Sequence, residues 1–279
     1  MQTHRSRTVF RAILAAAFLS TFAFGTLAAQ DLKITYKTKV GAMMMSHKGT
    51  EVEYHSQRYK RTNDTEEKTD TLIDYQDCVR YEIGHKKKVV KLTRLEDTLK
   101  LRELIAADIK EAMDADTDGK KRKKMEEFFG KDVSPSIKRA GTEVIAGRNC
   151  EKWDISVGKF TCKASADPTL APPAPPEILE KASKLEDSFL SDLLGMGNIG
   201  KLFGAISKIK GVQLKSEIVL PIGGWITIKI FREATEIVPG PIPDSVFELP
   251  KGYTEEDAGK KELEEYEKRR KERLEKKKK

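Results

Sequence analysis

From Asp31 to Val40 the side chains alternate, with Leu32, Ile34, Tyr36 and Val40 on one parity and Lys33, Thr35, Lys37 and Lys39 on the other. A period of two with one apolar side predicts a strand of an antiparallel sheet that has a dry face and a wet one. Gly41 and Met43-Met44-Met45 follow, and Gly49 is expected at a turn. Glu51–Arg61 then returns as a second strand carrying Val52, Tyr54 and Tyr59. The polar stretch Asn63–Thr69 leads into Thr71–Ile83, read as one strand because Tyr75, Val79, Tyr81 and Ile83 share a parity, and Val89–Leu92 reads as a fourth. Strand character returns at Thr142–Ile145. It continues in Trp153, Ile155 and Val157, turns at Gly158-Lys159, and resumes with Phe160 and Cys162 as a hairpin. Val212–Leu220 and Trp225–Phe231 are two more alternating strands.

Between these runs the period changes. Leu101, Ile105, Ile109 and Ala112 with Met113 recur at helical spacing, which predicts one helical insertion near residues 93–130. Asp167-Pro-Thr-Leu-Ala-Pro-Pro-Ala-Pro-Pro176 favours extended polyproline and stops the sheet, and its last prolines can open a helix. A second insertion over 176–210 follows, with one stripe made by Ile178, Ala182, Leu185, Phe189 and Leu193 and another by Ile199, Leu202, Phe203, Ile206 and Ile209. Both stripes need an apolar surface to lie on. Beyond Tyr253 the chain is nearly all Glu, Lys and Arg without a sustained apolar stripe, so 254–279 is expected as a solvated helical or disordered tail. The alternating segments therefore define a mainly β (α+β) domain over 30–253.

The N-terminus adds a compartment. Arg5, Arg7 and Arg11 precede the apolar run Ala12–Phe24 and a small-residue zone, the order of a secretory signal, with cleavage expected near Ala28 or Ala29. The apolar run falls short of the ~20 residues that a membrane span needs. Residues 1–29 are thus read as a leader, and the protein as periplasmic or secreted. The formal charge of the whole chain is +8, with 52 Lys and Arg against 44 Asp and Glu. Behind a leader, Lys86-Lys87-Lys88 and Lys120–Lys124 read as solvated loops or as peripheral contacts with anionic lipid head groups, not as nucleic-acid sites.

Candidate chemistry is thin. Gly195-Met-Gly-Asn-Ile-Gly200 has the spacing of a dinucleotide loop, but an amphipathic helix precedes it where a strand is required. His47, His55 and His85 have no zinc-pair spacing; His47 and His55 flank the expected turn and could meet across it, near the methionine triplet. Acid pairs carry little information in a chain so charged, and no nucleophile has an evident base, so no enzyme, metal or cofactor is predicted. Three cysteines allow a disulfide in an exported protein. Cys150–Cys162 is the nearest pair in sequence, yet a two-residue turn at Gly158-Lys159 sets Cys162 opposite Ile155. Cys150 then lies about 16 Å away along the strand at ~3.3 Å per residue. A bridge needs Cα atoms within ~7 Å. Cys150–Cys162 across a wider loop, Cys78–Cys150, and no bridge all stay open.

Gly147-x-x-Cys150-x-x-Trp153, the strand from Gly211 through Ile218, and Asp244-Ser-Val-Phe-Glu-Leu-Pro-Lys-Gly-Tyr253 occur in an order that resembles an exported bacterial family similar to the lipoprotein carriers LolA and LolB. The resemblance implies a curved, half-open antiparallel barrel with amphipathic helices covering an apolar concave face, and no catalytic residues. Tyr36, Met43, Met45, Ile226 and Ile228 from strand faces, with Leu193 or Phe203 from the helices, are the candidate lining. The expected role is non-enzymatic binding of a lipid, an acyl chain or a lipoprotein anchor. The alternative is an envelope scaffold that meets an unidentified protein partner through its tail and basic loops.

Overall fold

The computed structural model describes residues 30–42, 45–120, 123, 133–180, 197–222 and 226–277. Residues 1–29, expected as a leader, and Met43, Leu193 and Trp225 lie outside them. Twelve strands form one open sheet: β1 (Leu32–Ala42), β2 (Met45–His55), β3 (Tyr59–Asp64), β4 (Thr69–Asp74), β5 (Val79–Gly84), β6 (Val89–Arg94), β7 (Ser136–Ile145), β8 (Arg148–Val157), β9 (Phe160–Asp167), β10 (Val212–Ile222), β11 (Ile226–Pro239) and β12 (Thr254–Asp257). The spatial order is β12-β6-β5-β4-β3-β2-β1-β11-β10-β9-β8-β7, antiparallel throughout except where β12 joins β6. The mainly β, antiparallel character expected from the alternation is observed, and the sheet is open, as the family resemblance implied.

Two meanders meet where β1 pairs β11. In the first, β3 to β6 are joined by four-residue turns, and each turn ends in a left-handed residue: Lys68, Cys78 and Lys88, ten positions apart. Asp64 Oδ1 accepts the amides of Glu66 and Glu67 at 2.9 Å, and Asp74 Oδ1 those of Gln76 and Asp77 at 2.9 and 3.1 Å. These side chains close the turns that the chain needs there. The expected single strand Thr71–Ile83 is therefore two strands, because the Asp74 turn interrupts a parity that happens to continue across it. Gly49 is likewise no turn. It lies inside β2 opposite Thr38, where a Cβ would come 3.2 Å from the Thr38 hydroxyl.

The second meander rolls. In a flat sheet β7 and β11, four strand spacings apart, would lie about 19 Å from each other. Instead they approach within 8 Å, and Lys215 of β10 reaches Glu143 of β7 at 3.2 Å across two intervening strands. Bulges at Ala140, Leu214 and Thr235 supply the bending. Helix α2 (Asn198–Ile206) lays Ile199, Leu202, Ala205 and Ile206 on Ile155, Val157, Phe160, Cys162, Ile218 and Leu220 to form the main core. The register Val157↔Phe160 and Ile155↔Cys162 is the expected one. It places Cys162 in this core and Cys150, on the opposite side of β8, in another with Leu32, Ile34, Tyr36 and Leu214. Cys78, Cys150 and Cys162 are accordingly free thiols, and the Cys150–Cys162 bridge is absent because alternation sends the two sulfurs to different faces. Burial pushes the Cys150 and Cys162 thiols up to about 11 and about 12.

The Asp244–Tyr253 segment has a structural role. Arg61 Nη1 donates to the carbonyls of Val246 and Glu248 at 2.8 and 3.0 Å, while its Nη2 meets Asp70 at 2.5 Å. His85 joins Asp70 to the Tyr253 hydroxyl, and Phe247 stacks on Tyr59. This clamp delivers the chain to β12.

The charged segment Ala258–Lys277 is a helix. Helix α1 (Leu95–Asp114) and helix α3 (Ala258–Lys277) pack together, and Leu263 of α3 is buried. Buried Asp108 on α1 accepts hydrogen bonds from Tyr266 at 2.7 Å, from Arg270 at 2.8 Å and from Arg273. Of the two expectations for 254–279, a solvated helix or a disordered end, the helix is the one seen over Ala258–Lys277, and a polar contact docks it where no apolar stripe could. Burial alone would raise the Asp108 carboxyl, but its three donors outweigh burial and hold it at about 2, below its ordinary 3.8. Because the folded value is the lower one, this stabilisation is complete above about pH 4 and is lost as pH falls through about 2. Asp108→Asn should weaken α3 docking by about 1–3 kcal/mol at neutral pH. Amide exchange in α3 would then accelerate while exchange in β8 and β9 holds; unchanged exchange in α3 would contradict this role.

Candidate functional site

β2 carries Glu51, Glu53 and His55 on one parity, with Val52 and Tyr54 on the other. Register sets these three polar side chains beside the apolar face of β1, pairing Tyr36 with Glu51, Ile34 with Glu53 and Leu32 with His55. On the far side of β2, Lys60 of β3 pairs with His55. Arg232 of β11 reaches across β1 to complete a cluster. Its Nε lies 3.1 Å from Glu51 and its Nη2 2.7 Å from Glu53, and its guanidinium sits 3.5 Å above the Tyr36 ring centre. Lys60 Nζ and His55 Nε2 approach the same Glu53 carboxylate at 3.3 and 3.1 Å. Tyr36 completes its own bonding by donating to the Gln213 carbonyl at 3.2 Å.

Taking these charges out of water is costly unless each meets its opposite. Burial would raise the Glu53 carboxyl, but Arg232 and Lys60, with the His55 hydrogen bond, hold it well below the usual carboxylate range. At Glu51 burial prevails over Arg232 and raises the value. Burial also raises the Tyr36 phenol, so that it stays a neutral donor.

Beside this cluster opens a cleft of about 850 Å³, within the range of small-molecule sites. His55 and Lys60 line one wall together with Tyr75, which follows β4. The proline-rich run 171–176 and Leu179 make the apolar wall, and Ser207, Lys210 and Gly211, just after α2, close a third side. That wall is anchored. Ala174, Ile178 and Leu179 pack on Ile73 and Tyr75, and a helical turn starts at Pro176, with the amides of Ile178 and Leu179 donating to the Pro175 carbonyl at 3.0 Å. The Gly211 backbone passes so close to Asp167 that a Cβ would lie 2.0 Å from its carbonyl oxygen.

The sequence-derived lining set is divided. Phe203 and Ile228 come together against the α2 core. Tyr36 is fully buried in the second core and the ionic cluster, and Ile226 is exposed. Met45 opens β2, with nothing described of its side chain; Met43 and Leu193 lie outside the described residues. None of Tyr36, Phe203, Ile226 and Ile228 lines the cleft. His47 and His55 occupy one strand eight residues apart, about 26 Å, so they do not meet. No group of three His, Cys, Asp or Glu side chains suited to a metal occurs among the described residues. Sequence reasoning missed the ionic cluster because it discounted acid pairs. Its available signal was three ionisable residues at i, i+2 and i+4 on one strand face.

A smaller cleft of about 420 Å³ lies between the β4–β5 and β5–β6 strand faces and is lined by Lys68, Lys86, Lys87 and Lys91 with Glu67 and Glu82. No protein-family model and no curated protein matches the chain. Solved structures match over most of its length. They include PNGF-II (14% identity, TM-score 0.38, 84% of this chain and 32% of that one) and MucB (10%, TM-score 0.37, 81% and 60%). A LolA superfamily protein from Nitrosomonas europaea also matches (6%, TM-score 0.28, 79% and 91%). The chain thus spans about a third of PNGF-II and three-fifths of MucB. At these identities and TM-scores the likeness is a loose one of backbone shape.

Glu53→Gln should destabilise the fold by about 3–5 kcal/mol, the usual loss when one partner of a buried ion pair is removed. Arg232→Met in the same chain should restore part of that loss. Urea unfolding of both single variants and the double variant measures the coupling; strict additivity would show that the pair does not act as a unit.

Proposed function

We propose that the chain is a non-enzymatic, exported binding protein of the cell envelope that holds a hydrophobic ligand such as a lipid, an acyl chain or a lipoprotein anchor. The observation that carries this reading is the cleft beside the β2–β4 faces. Its proline, alanine and leucine wall offers apolar surface without side-chain entropy to lose at the prolines, and its single buried polar end can orient an amphiphile. The leader supports export. Phe203, Ile228 and Tyr36 serve as packed backing in this reading, with the ligand held one layer further out. Lys68, Lys86, Lys87 and Lys91 bring this end of the first meander to anionic head groups, a peripheral contact that salt weakens.

Mass spectrometry under native conditions, on protein purified from its own envelope, should show a co-purifying lipid. The neutral apolar fluorophore N-phenyl-1-naphthylamine should bind the delipidated protein saturably. Ala171→Trp, at an exposed position on the cleft wall, should weaken that binding about tenfold, or ~1.4 kcal/mol, without lowering stability. Lipid-free protein together with no saturable probe binding would refute the proposal.

A further inference from the structure

Ion pairing differs between the two ends of the sheet. β1, β2, β10 and β11 meet at one end, where Ala42 pairs with Met45 and Ile222 with Ile226. The β3–β4 turn stands beside them, with Glu67 3.8 Å from His47, and the β5–β6 turn joins it through the His85 amide, which donates to the Lys68 carbonyl at 3.2 Å. At the opposite end the cations are matched: Arg58 binds Asp74 and Asp77, and Arg148 binds Asp167. At the first end they are not. Lys39 of β1 sits directly opposite Lys48 of β2, and Lys229 of β11 pairs with Gly41, two residues along β1 on the same face. All three lysines are exposed, and none has an ion-pair partner among the described residues. The acids of the adjoining turn, Glu66 and Glu67, face its own Lys68 and the Lys86 and Lys87 of the next turn. Like charges opposed across an antiparallel pair destabilise it, so Lys39 and Lys48 cost the fold something unless an anion stands over them.

The same end exposes aliphatic surface. Val40 is 45% exposed and Ile226 40%, both on the sheet face that the three lysines do not use. Ile226 opens β11, and Lys229 stands three residues behind it, about 10 Å along the strand. An apolar tip with lysines set back by that depth fits the acyl boundary and the head-group layer of a bilayer. An acidic protein would answer the lysines and leave the aliphatic tip unmatched. We propose that this end of the sheet docks on a bilayer of anionic phospholipid, with Val40 and Ile226 entering the acyl boundary and Lys39, Lys48 and Lys229 meeting the head groups. This rests on the envelope placement and peripheral contact proposed above, and it gives that contact a surface, a depth and an orientation. His55 closes β2 and Gly211 precedes β10, so the cleft lies at the far end and a docked chain holds it away from the bilayer.

The test is co-sedimentation of the protein recovered from the envelope with vesicles of phosphatidylcholine, alone or mixed with phosphatidylglycerol. The mixed vesicles should bind it and the neutral ones should not. Lys39→Ala, Lys48→Ala and Lys229→Ala together should weaken binding about a hundredfold. Val40→Ser with Ile226→Ser should weaken it about tenfold. Removing Lys48 relieves a repulsion, so the lysine variant should unfold at no lower temperature than the wild-type chain, which separates lost binding from lost fold. Equal binding to neutral and anionic vesicles, or undiminished binding by either variant, would overturn the inference. If Lys68→Ala, Lys86→Ala and Lys87→Ala together abolished binding while the Lys39, Lys48 and Lys229 variant bound normally, the peripheral contact would stand without this surface. Binding to neither kind of vesicle, the result for a surface that meets an acidic protein, would remove contact and inference together, and probe binding in the cleft would still judge the ligand-holding role.

Discussion

A carboxylate and a guanidinium buried in the face of a sheet impose a constraint that the surrounding residues must meet. Glu53 is 5% exposed, and it stays charged only because Arg232, Lys60 and His55 converge on it from three different strands. Those contacts require β11, β1, β2 and β3 to keep one register, since a slip of one residue would turn Glu53 to the other face and leave Arg232 unpaired. The two meanders join at this place. Apolar packing alone would tolerate several alignments of β1 on β11, whereas the ionic cluster accepts one.

The same constraint shapes the neighbouring cleft. A polar cluster on a sheet face cannot be sealed by a helix as apolar as α2, whose Ile199 and Leu202 sit on apolar side chains of β8 to β10. Over the cluster the chain uses prolines, which lack amide donors and so leave fewer backbone groups to satisfy. The outcome is an apolar wall facing a polar floor. The Arg61–Asp70–His85–Tyr253 clamp on the first meander and the Asp108 contact between α1 and α3 follow the same rule on a smaller scale, with one buried acid gathering donors from distant segments.

Much of the sheet was legible because alternation reports burial directly. Leu32, Ile34 and Tyr36 face the core as their parity requires, and the hairpin register around Gly158 followed from its turn length. Other features were hidden for identifiable reasons. The break at Asp74 depends on a side chain capping two amides and on a left-handed Cys78, neither of which changes the hydrophobic pattern. Gly49 resembles a turn residue in sequence but answers a close approach from Thr38. The docking of α3 rests on Asp108, a polar contact that no apolar stripe announces. The candidate site was the least legible part. Its apolar wall could be read as a proline-rich spacer, and its polar floor is built from residues whose meaning depends on which strands lie side by side.

The account stands on Glu53 staying ionised inside the sheet because Arg232 and Lys60 hold it so. The side-chain carboxyl resonance of Glu53 in ¹³C-glutamate-labelled protein, followed as pH falls, reads that charge directly. The account predicts that Glu53 keeps its ionised resonance after the exposed glutamates have titrated. A Glu53 that titrates with the exposed glutamates or above them would contradict it.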